Sequence, residues 1–541
     1  MTTEPIARER THVLITGAGP AGLILAIELA RRGIPHRLIE RDARHFTGSR
    51  GKGLQPRTQE VFEDLGVLLR AQVHGGIYPP LRRYQGDEVR WEGRMGNVRE
   101  STPGTPYPNP LMLPQWRTGE ILRARLSELG GSVELATELV SFTQDPDGVT
   151  ALVRHAGQDE EIRADYLVGS DGGRSTVRRA LGVSFAGETR EEQRMVIADV
   201  RAEGLDRDYW HIWTSKDPGQ ADFPLAMCPL AGTDTFQLVR PVAPGAPVPE
   251  TTIPELQRVV DEAVGSGSIR LTELLWDSFY RASMRMAERF RVDRVFLVGD
   301  AAHVHSPAGG QGLNTSVQDA YNLGWKLAAV IGGAPAELLD TYEEERLPIA
   351  ADVLGISTKL HDRGFLGSAD AHRRDDPKLQ QLGLGYRGRA LSRDERAVTG
   401  DVSGGLLVGD RAPDAPGAGP QGEPVRLFEL FSGPHATLLA FGPQAARVAA
   451  SLPEREGLRP VAVLGSGEPA PEGVYAFTDA EGHAGRAYLP GQGAPADTLL
   501  LVRPDGYLGL ALDADEASAE RLHDYLAGMS ATAAPSAVLS V

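Results

Sequence analysis

RVFLVGDAAHVHSPAGGQGLNTSVQDAYNLGWKL, residues 294–327, is the stretch that decides the fold of this 541-residue chain. The apolar run 295–298 is followed by Gly299 and Asp300, which predicts a buried parallel strand with a carboxylate at its end. A glycine-rich turn at 307–314 comes next and leads into apolar residues at helical spacing. Ligands of parallel sheets bind beyond the carboxyl ends of the strands. The N–H groups at the start of the predicted helix favour an anionic group of such a ligand.

A second glycine-rich turn lies near the N-terminus. Residues 12–16 predict a strand, and they run into Gly17-Ala-Gly-Pro-Ala-Gly22 and an apolar helix that ends at Gly33. The next predicted strand, 36–39, ends at Glu40. Gly-X-Gly-X-X-Gly between a strand and a helix, with an acid about 20 residues later, is a dinucleotide-binding fingerprint in which the acid meets a ribose hydroxyl. The sequence therefore predicts that the ADP half of a dinucleotide binds here.

Length and composition limit the classes of protein that the chain can represent. Its 541 residues predict two to four domains, and 41% hydrophobic with 24% charged residues is typical of a soluble globular protein. The formal net charge of −17 argues against a nucleic-acid partner and against attraction to an anionic membrane. We find neither a signal peptide nor an apolar run long enough to span a membrane, so the prediction is a cytoplasmic protein without a membrane partner.

The cysteine content restricts the chemistry. Cys228 is the only cysteine, which excludes an intrachain disulfide, a Cys-X-X-Cys redox pair and a metal site built from cysteines. We therefore expect no metal, and any electron transfer must use a bound cofactor.

A third motif, Asp171-Gly-Gly-Arg-Ser175, follows an apolar strand that begins near residue 164. Together with the two glycine-rich turns it resembles the class A flavoprotein monooxygenases, the single-component, FAD-dependent aromatic and polyketide hydroxylases similar to p-hydroxybenzoate hydroxylase. The resemblance is strongest in Gly299-Asp-Ala-Ala-His303 followed by Pro307-X-Gly-Gly-Gln-Gly-Leu-Asn314. The three motifs lie in the order of that family and cover most of the first 360 residues.

The resemblance implies a mixed α/β and α+β architecture. It combines a Rossmann-like, three-layer FAD-binding domain, an inserted antiparallel-sheet substrate domain and a C-terminal thioredoxin-like domain that lacks the active cysteines. The predicted boundaries are 1–184 for the first part of the FAD domain, with 70–112 contributing to the substrate site, 185–286 for the substrate sheet, 287–400 for the second part of the FAD domain and a connector, and 401–541 for the thioredoxin-like domain.

The resemblance also implies a reaction. NADPH or NADH would reduce FAD, and dioxygen would then form a flavin C4a-hydroperoxide. A hydroxyl group would pass from it to an aromatic or polyketide-like small molecule, as in antibiotic biosynthesis. No second dinucleotide fold is evident, which fits transient binding of NADPH. The oligomeric state is open between monomer and homodimer.

Other functions remain open at this stage. The same scaffold can host Baeyer–Villiger oxygenation of a polyketide ketone, and residues 210–213 have a superficial likeness to a flavin-dependent halogenase motif. A flavoprotein that sequesters a hydrophobic metabolite is a further alternative, and it would show no substrate-stimulated oxidation of NADPH.

The resemblance assigns roles to individual positions. Pro307 and Arg50 are the expected catalytic residues, with the Pro307 carbonyl accepting a hydrogen bond from the peroxide or its ring fixing the turn. The predicted cofactor-binding residues are Gly17, Ala18, Gly19, Pro20, Ala21, Gly22, Glu40, Arg41, Arg50, Gln115, Val140, Asp171, Asp300, Pro307, Gly310, Gly312, Leu313 and Asn314.

The segment 185–286 has alternating, aromatic-bearing stretches, which predict an antiparallel sheet and one helix at 253–264. One face of such a sheet would form the roof of a substrate pocket, although a buried sheet core explains the same aromatic residues. The predicted substrate-binding residues are Trp213, Phe223, Met227 and Phe236, with Trp210 and Trp276 as further candidates.

Overall fold

The computed structural model describes residues 9–214, 224–265, 267–306, 309–362, 377–397, 405–489 and 497–529. The predicted site residues Phe223 and Pro307 lie outside these ranges. The elements of the N-terminal part are β1 Glu9–Thr16, α1 Pro20–Ala30, β2 His36–Ile39, β3 Gly53–Leu54, α2 Pro56–Asp64, α3 Leu68–His74, β4 Gly76–Ile77, β5 Leu81–Gln85, β6 Glu88–Gly93, β7 Leu111–Met112, α4 Gln115–Glu128, β8 Val133–Glu134, β9 Thr137–Asp145, β10 Gly148–His155, β11 Gln158–Gly169 and α5 Thr176–Ala180.

The elements continue through the middle of the chain and its C-terminal part. The middle elements are β12 Phe185–Glu203, β13 Trp210–Trp213, β14 Leu225–Pro229, β15 Thr235–Val242, α6 Ile253–Val264, β16 Arg270–Ala287, β17 Arg291–Val292, β18 Val295–Leu297, β19 His303–Val304, α7 Gly312–Ile331 and α8 Asp340–Asp362. The C-terminal elements are β20 Arg393–Asp394, β21 Pro416–Ala418, β22 Pro424–Arg426, α9 Leu427–Phe431, β23 Ala436–Phe441, α10 Pro443–Ser451, β24 Leu458–Leu464, β25 Tyr475–Thr478, α11 His483–Tyr488, β26 Thr498–Val502, β27 Leu508–Asp513 and α12 Ser518–Ala527.

The first sheet carries the motifs at one edge. Its order is β17-β18-β11-β1-β2-β8, with β10 and β9 attached to β11, and β1, β2, β8, β11 and β18 run parallel. Parallel strands end at a common edge, so the glycine turn after β1, Glu40 after β2, Asp171 after β11 and Asp300 after β18 converge there. Ala136, between β8 and β9, adopts a φ of 52°.

The second sheet confirms the predicted antiparallel insertion and extends it. Its order is β19-β16-β12-β15-β14-β13-β5-β6, so β5 and β6 from the N-terminal part complete one edge. The pairing of β13 with β5 is parallel, which the prediction did not include. Helix α6 packs against one face of this sheet. A small separate sheet has the order β3-β7-β4, and helix α3 ends at His74.

The third sheet belongs to the C-terminal part and has the order β20-β27-β26-β23-β24-β25-β21-β22. Strands β23 and β24 are parallel with α10 between them, and β26 and β27 form an antiparallel hairpin that is followed by α12. The thioredoxin-like assignment of this part stays a prediction. The overall mixture of α/β layers and sheets is the predicted fold class.

The C-terminal part packs on helices α7 and α8 through buried charged side chains. Arg503 of the β26–β27 turn pairs with Glu345 of α8 at 2.6 Å, and Lys326 of α7 pairs with the same carboxylate at 2.7 Å. All three side chains are fully buried. The C-terminal part therefore contributes counter-charges to the interior of the preceding part of the chain.

Among the described residues, no helix is long and apolar enough to cross a membrane. Within the same ranges, no cluster of histidine, cysteine and acidic side chains has the arrangement of a metal site.

Candidate functional site

Glycine occupies the positions of the N-terminal turn for different physical reasons. Gly17 has a φ of +96°, and a Cβ there would lie 2.5 Å from the Ser170 carbonyl oxygen. A Cβ on Gly22 would lie 2.0 Å from the Gly17 carbonyl oxygen, so both positions are needed for backbone packing. A Cβ on Gly19 would meet no atom within 4 Å. Gly19 is the N-cap of α1 and offers no side-chain cap, so the N–H groups of the first turn face open space that suits a pyrophosphate.

Glu40 is held at the end of β2 beside this turn. One carboxylate oxygen accepts a hydrogen bond from the Ala18 N–H at 2.9 Å, and the other accepts from the Asp42 N–H at 3.1 Å. This geometry fixes the acid next to the glycine turn, as the fingerprint predicts. Arg41 is exposed, and its Nε lies 3.9 Å from the Oδ1 of Asp42. Val140 is exposed on β9.

Asp171 caps the helix that follows β11. Its Oδ2 accepts hydrogen bonds from the N–H groups of Thr176 at 2.6 Å and Val177 at 3.2 Å. Its Oδ1 is buried and has no hydrogen-bond partner among the described residues. A buried carboxylate oxygen without a donor is costly unless a ligand supplies one. Arg178, in the same motif, donates to the Ala301 carbonyl at 2.7 Å and so ties this turn to the Gly-Asp turn.

Asp300 lies in a 3₁₀ turn directly after β18, and it is exposed. The protein packed around the carboxyl raises its pKa, while the charges of His303 and Arg50 act in the opposite direction. Arg50 is therefore close enough to Asp300 for their charges to interact. The structure thus brings two of the predicted site residues, which are 250 positions apart, to one side of the sheet edge.

The turn before α7 is fastened by Asn314. Its side-chain oxygen accepts from the Gln55 N–H at 2.7 Å, and its amide nitrogen donates to the carbonyls of Gly53 at 3.0 Å and Gly310 at 2.8 Å. The side chain is therefore satisfied by protein groups, and a cofactor contact at this position must use the backbone. A Cβ on Gly312 would meet no atom within 4 Å, so the helix start is open.

The segment 44–52, here called the Arg50 loop, connects the cofactor edge with the second sheet. The Gly51 N–H donates to the Gln115 side-chain oxygen at 2.9 Å, and Leu313 lies close to the same glycine. Gln115 therefore orients the loop. Arg50 donates to the Ser278 hydroxyl on β16 at 3.3 Å, so the loop lies against the second sheet.

The two faces of the second sheet have different neighbours. On the face covered by α6, here the helix face, Trp213, Met227 and Phe236 belong to one buried apolar cluster with α6. This corrects the prediction that these three residues line a substrate pocket beneath the flavin. Because side chains alternate along a strand, the residues directly before and after these three point to the other face of the sheet. The other face, here the loop face, carries Trp210 and Trp276, and it packs against the Arg50 loop.

The loop face holds polar residues that the sequence did not single out. Asp199 on β12 is 3% exposed, and burial raises its pKa to about 6. Gln237 on β15 donates to the Ser49 carbonyl of the Arg50 loop, and Lys52 donates to the Gln237 side-chain oxygen at 2.5 Å. The signal that could have found Asp199 is its charge at an inward position of an otherwise apolar strand.

Residues 10–357 match the family described as an FAD binding domain. The chain belongs to this family. It is 47% identical over 514 residues to a flavin-dependent monooxygenase from Mycobacteroides abscessus, which covers 94% of this chain and 99% of that protein. It is 35% identical over 532 residues to the 12-dehydrotetracycline 5-monooxygenase/anhydrotetracycline 6-monooxygenase from Streptomyces rimosus subsp. rimosus, covering 92% of this chain and 95% of that protein.

Two solved structures have a fold similar to that of this chain. A ternary complex of aklavinone-11 hydroxylase with FAD and aklavinone has a TM-score of 0.79 and 28% sequence identity, covering 97% of this chain and 99% of that chain. A flavin-dependent monooxygenase in complex with FAD and substrate shares the fold at a TM-score of 0.81 with 24% identity, covering 96% of this chain and 99% of that chain. The protein is an FAD-dependent monooxygenase, as the sequence predicted.

FAD fits the residues that converge at the sheet edge of this monooxygenase. The open helix starts at Gly19 and Gly312 and the unpartnered Oδ1 of Asp171 provide donors and an acceptor that the protein leaves unused. Glu40 and Asp300 supply carboxylates after β2 and β18, two parallel strands of the same sheet. The roles of individual residues toward FAD remain proposals, and those of Pro307 and Phe223 concern positions outside the described ranges.

Proposed function

We propose that this monooxygenase uses NADPH, or NADH, and dioxygen to hydroxylate an aromatic, polyketide-like small molecule. The related proteins named for 12-dehydrotetracycline, anhydrotetracycline and aklavinone support this substrate class. FAD would supply the oxygen transfer, through a C4a-hydroperoxide, once it has been reduced by the nicotinamide donor.

One observation carries this proposal. The Arg50 loop reaches from the cofactor edge to the loop face of the substrate sheet, where Phe46 and Trp276 make an edge-to-face contact with ring centroids 5.5 Å apart. Arg50 itself contacts Ser278 on the same strand as Trp276. A substrate ring bound next to the Arg50 loop and Trp276 would therefore lie near the flavin and against aromatic side chains.

The residues of the chain have three tasks in this proposal. Asp300 and Glu40 hold the hydroxyl groups of the ribityl chain and the ribose, and the start of α7 stabilises negative charge on the pyrimidine edge of the flavin. Arg50 adds positive charge near the same edge, where the sign is favourable for a reduced flavin. The packing of the Arg50 loop on the loop face would exclude water, which limits side reactions of the reduced cofactor with solvent. Pro307 is proposed to fix the turn at this edge and to offer its carbonyl as an acceptor.

Product analysis tests the proposal. We expect purified protein to be yellow and to release one FAD per chain without covalent attachment. A panel of phenols and fused-ring polyketides is incubated with NADPH and ¹⁸O₂, and mass spectrometry and NMR identify the products. Substrate-stimulated NADPH oxidation with one labelled oxygen in a new hydroxyl group supports hydroxylation. A labelled ester supports Baeyer–Villiger oxygenation instead, and absence of NADPH oxidation with all compounds would count against both reactions.

A further inference from the structure

The loop face of the substrate sheet carries a row of polar side chains at neighbouring strands. Asp199 of β12 pairs with Gln237 of β15, which pairs with Cys228 of β14. On the other side, Asp199 pairs with Trp276 of β16. Paired residues point to the same face, so this row crosses the sheet beneath the Arg50 loop.

Two members of this region lack hydrogen-bond partners. Neither carboxylate oxygen of Asp199 makes a hydrogen bond within the described ranges, although the side chain is 97% removed from solvent. The hydroxyl of Ser49, in the Arg50 loop, is also buried without a hydrogen bond to any described residue. Ser49 lies close enough to Asp199 to oppose the rise in its pKa, but the two groups do not meet in good hydrogen-bond geometry. Unpartnered buried polar groups are rare in native proteins and call for a ligand or a water molecule.

Lys52 provides a positive charge over the same row. Its ammonium group donates to Gln237 and lies 4.0 Å from the centroid of the Trp210 ring. Its charge also favours the ionised forms of Asp199 and Cys228. An acidic hydroxyl group that binds here would have a carboxylate to accept its proton in a hydrogen bond and a cation nearby to stabilise the oxygen.

We infer that Asp199, with Ser49 beside it, is a specificity-determining site for a phenolic or enolic hydroxyl group of the substrate. Asp199 accepts the hydrogen bond from the hydroxyl, and the aromatic ring of the substrate lies toward Trp276. This inference rests on the proposed function, since it names the part of the substrate that the enzyme recognises. A substrate that carries an ether in place of this hydroxyl leaves Asp199 without a donor and binds more weakly.

A binding experiment with paired probes tests the inference on the FAD-loaded protein. The probes are 2,6-dihydroxyanthraquinone, whose hydroxyl groups are free to donate, and its dimethyl ether, and the perturbation of the flavin absorbance gives each Kd. We expect wild-type protein to bind the hydroxyl probe about tenfold more tightly than the ether. In Asp199→Asn and in Ser49→Ala the preference should fall, most strongly in Asp199→Asn because the charged acceptor is lost.

Asp277→Asn is the matched control. Asp277 is exposed on β16 and pairs with Ala198, one residue before Asp199, so it belongs to the opposite face of the sheet. This variant should keep the wild-type preference. FAD content and melting temperature show whether each variant is folded. Equal binding of the two probes by wild-type protein, or an undiminished preference in folded Asp199→Asn, overturns the inference. Absence of NADPH oxidation with every phenol counts against the proposed function instead.

Discussion

His303 and Asp319 lie 2.5 Å apart through the imidazole Nε2 and the carboxylate Oδ2, and both side chains are fully buried. The other carboxylate oxygen of Asp319 accepts from Arg346 at 2.8 Å. Burial alone would raise the pKa of Asp319, but His303 and Arg346 outweigh it and hold the pKa below its usual value. Oδ2 also accepts from the Gly299 N–H at 3.1 Å. One carboxylate on α7 therefore fixes the Gly-Asp turn that presents Asp300.

Asp319→Ala should destabilise the protein by about 3–5 kcal/mol, because Arg346 is left as a buried charge without its partner. Urea unfolding of the FAD-free protein gives the free energy of unfolding, and FAD content reports on the turn. The control is Asp340→Ala. The Asp340 side chain is 74% exposed, so its ion pair with Arg291 should contribute less than about 1 kcal/mol to stability. Equal effects of the two substitutions would contradict the role given to Asp319.

The glycine turn offers a test that separates folding from cofactor binding. Gly19→Ala should fold normally, because its Cβ has free space, but it should lose at least about tenfold in FAD affinity since the methyl group stands where the pyrophosphate approaches. Gly22→Ala should instead impair folding, because its Cβ would lie 2.0 Å from the Gly17 carbonyl oxygen. Melting temperature of the apoprotein and FAD titration distinguish the two results. Undiminished FAD affinity in Gly19→Ala would mean that the pyrophosphate does not pass this residue.

Asp300→Ala should weaken FAD binding by about 1.5–3 kcal/mol, because a hydroxyl group of the ribityl chain loses a charged acceptor. Asp300 is exposed, so the apoprotein of the variant should keep the melting temperature of the wild type. Fluorescence titration of the apoprotein with FAD measures the difference. An unchanged FAD affinity would remove Asp300 from the proposed site.

Asp199→Asn should make stability less dependent on pH. Burial raises the folded-state pKa of Asp199 from 3.8 to about 6, so the unfolded chain releases this proton at lower pH than the folded protein does. The folded state is therefore penalised as pH rises from about 4 through 6, by about 3 kcal/mol in total from the size of this shift. The variant should be more stable than wild type at pH 8 and similar at pH 4, as measured by urea unfolding. A gain at pH 8 that persists unchanged at pH 4 would show that ionisation is not its cause.

Deletion of residues 404–541 should unfold or aggregate the remaining chain, because it removes Arg503 and uncovers Glu345 and Lys326. The subtler variant Glu345→Gln leaves Arg503 and Lys326 without their shared carboxylate and should cost about 3–5 kcal/mol. Thermal unfolding and sedimentation measure these effects. Any folded, FAD-loaded fraction should still be reduced by NADPH, since the C-terminal part has no cysteine for redox chemistry. A folded, FAD-loaded truncation that NADPH cannot reduce would give this part a direct catalytic role.

Much of the cofactor side could be predicted from local sequence. The glycine turn at 17–22, Glu40 and Asp300 each follow a short strand, and the parallel order of β1, β2 and β18 brings their ends together. The packing of the two faces of the second sheet could be predicted less well. Trp213 and Trp210 are both aromatic residues of β13, yet one packs on α6 and the other faces the Arg50 loop.

The sequence by itself determined the elements and the motifs, because strand alternation, helical spacing and glycine-rich turns depend on neighbouring residues. The tertiary structure decided which face of the second sheet meets the Arg50 loop, since alternation defines two faces but not the packing partner of either. It also decided the buried contacts of Asp199 with the Arg50 loop and of Glu345 with Arg503. These contacts join residues about 150 positions apart, and only the folding of the whole chain brings such charges out of water together.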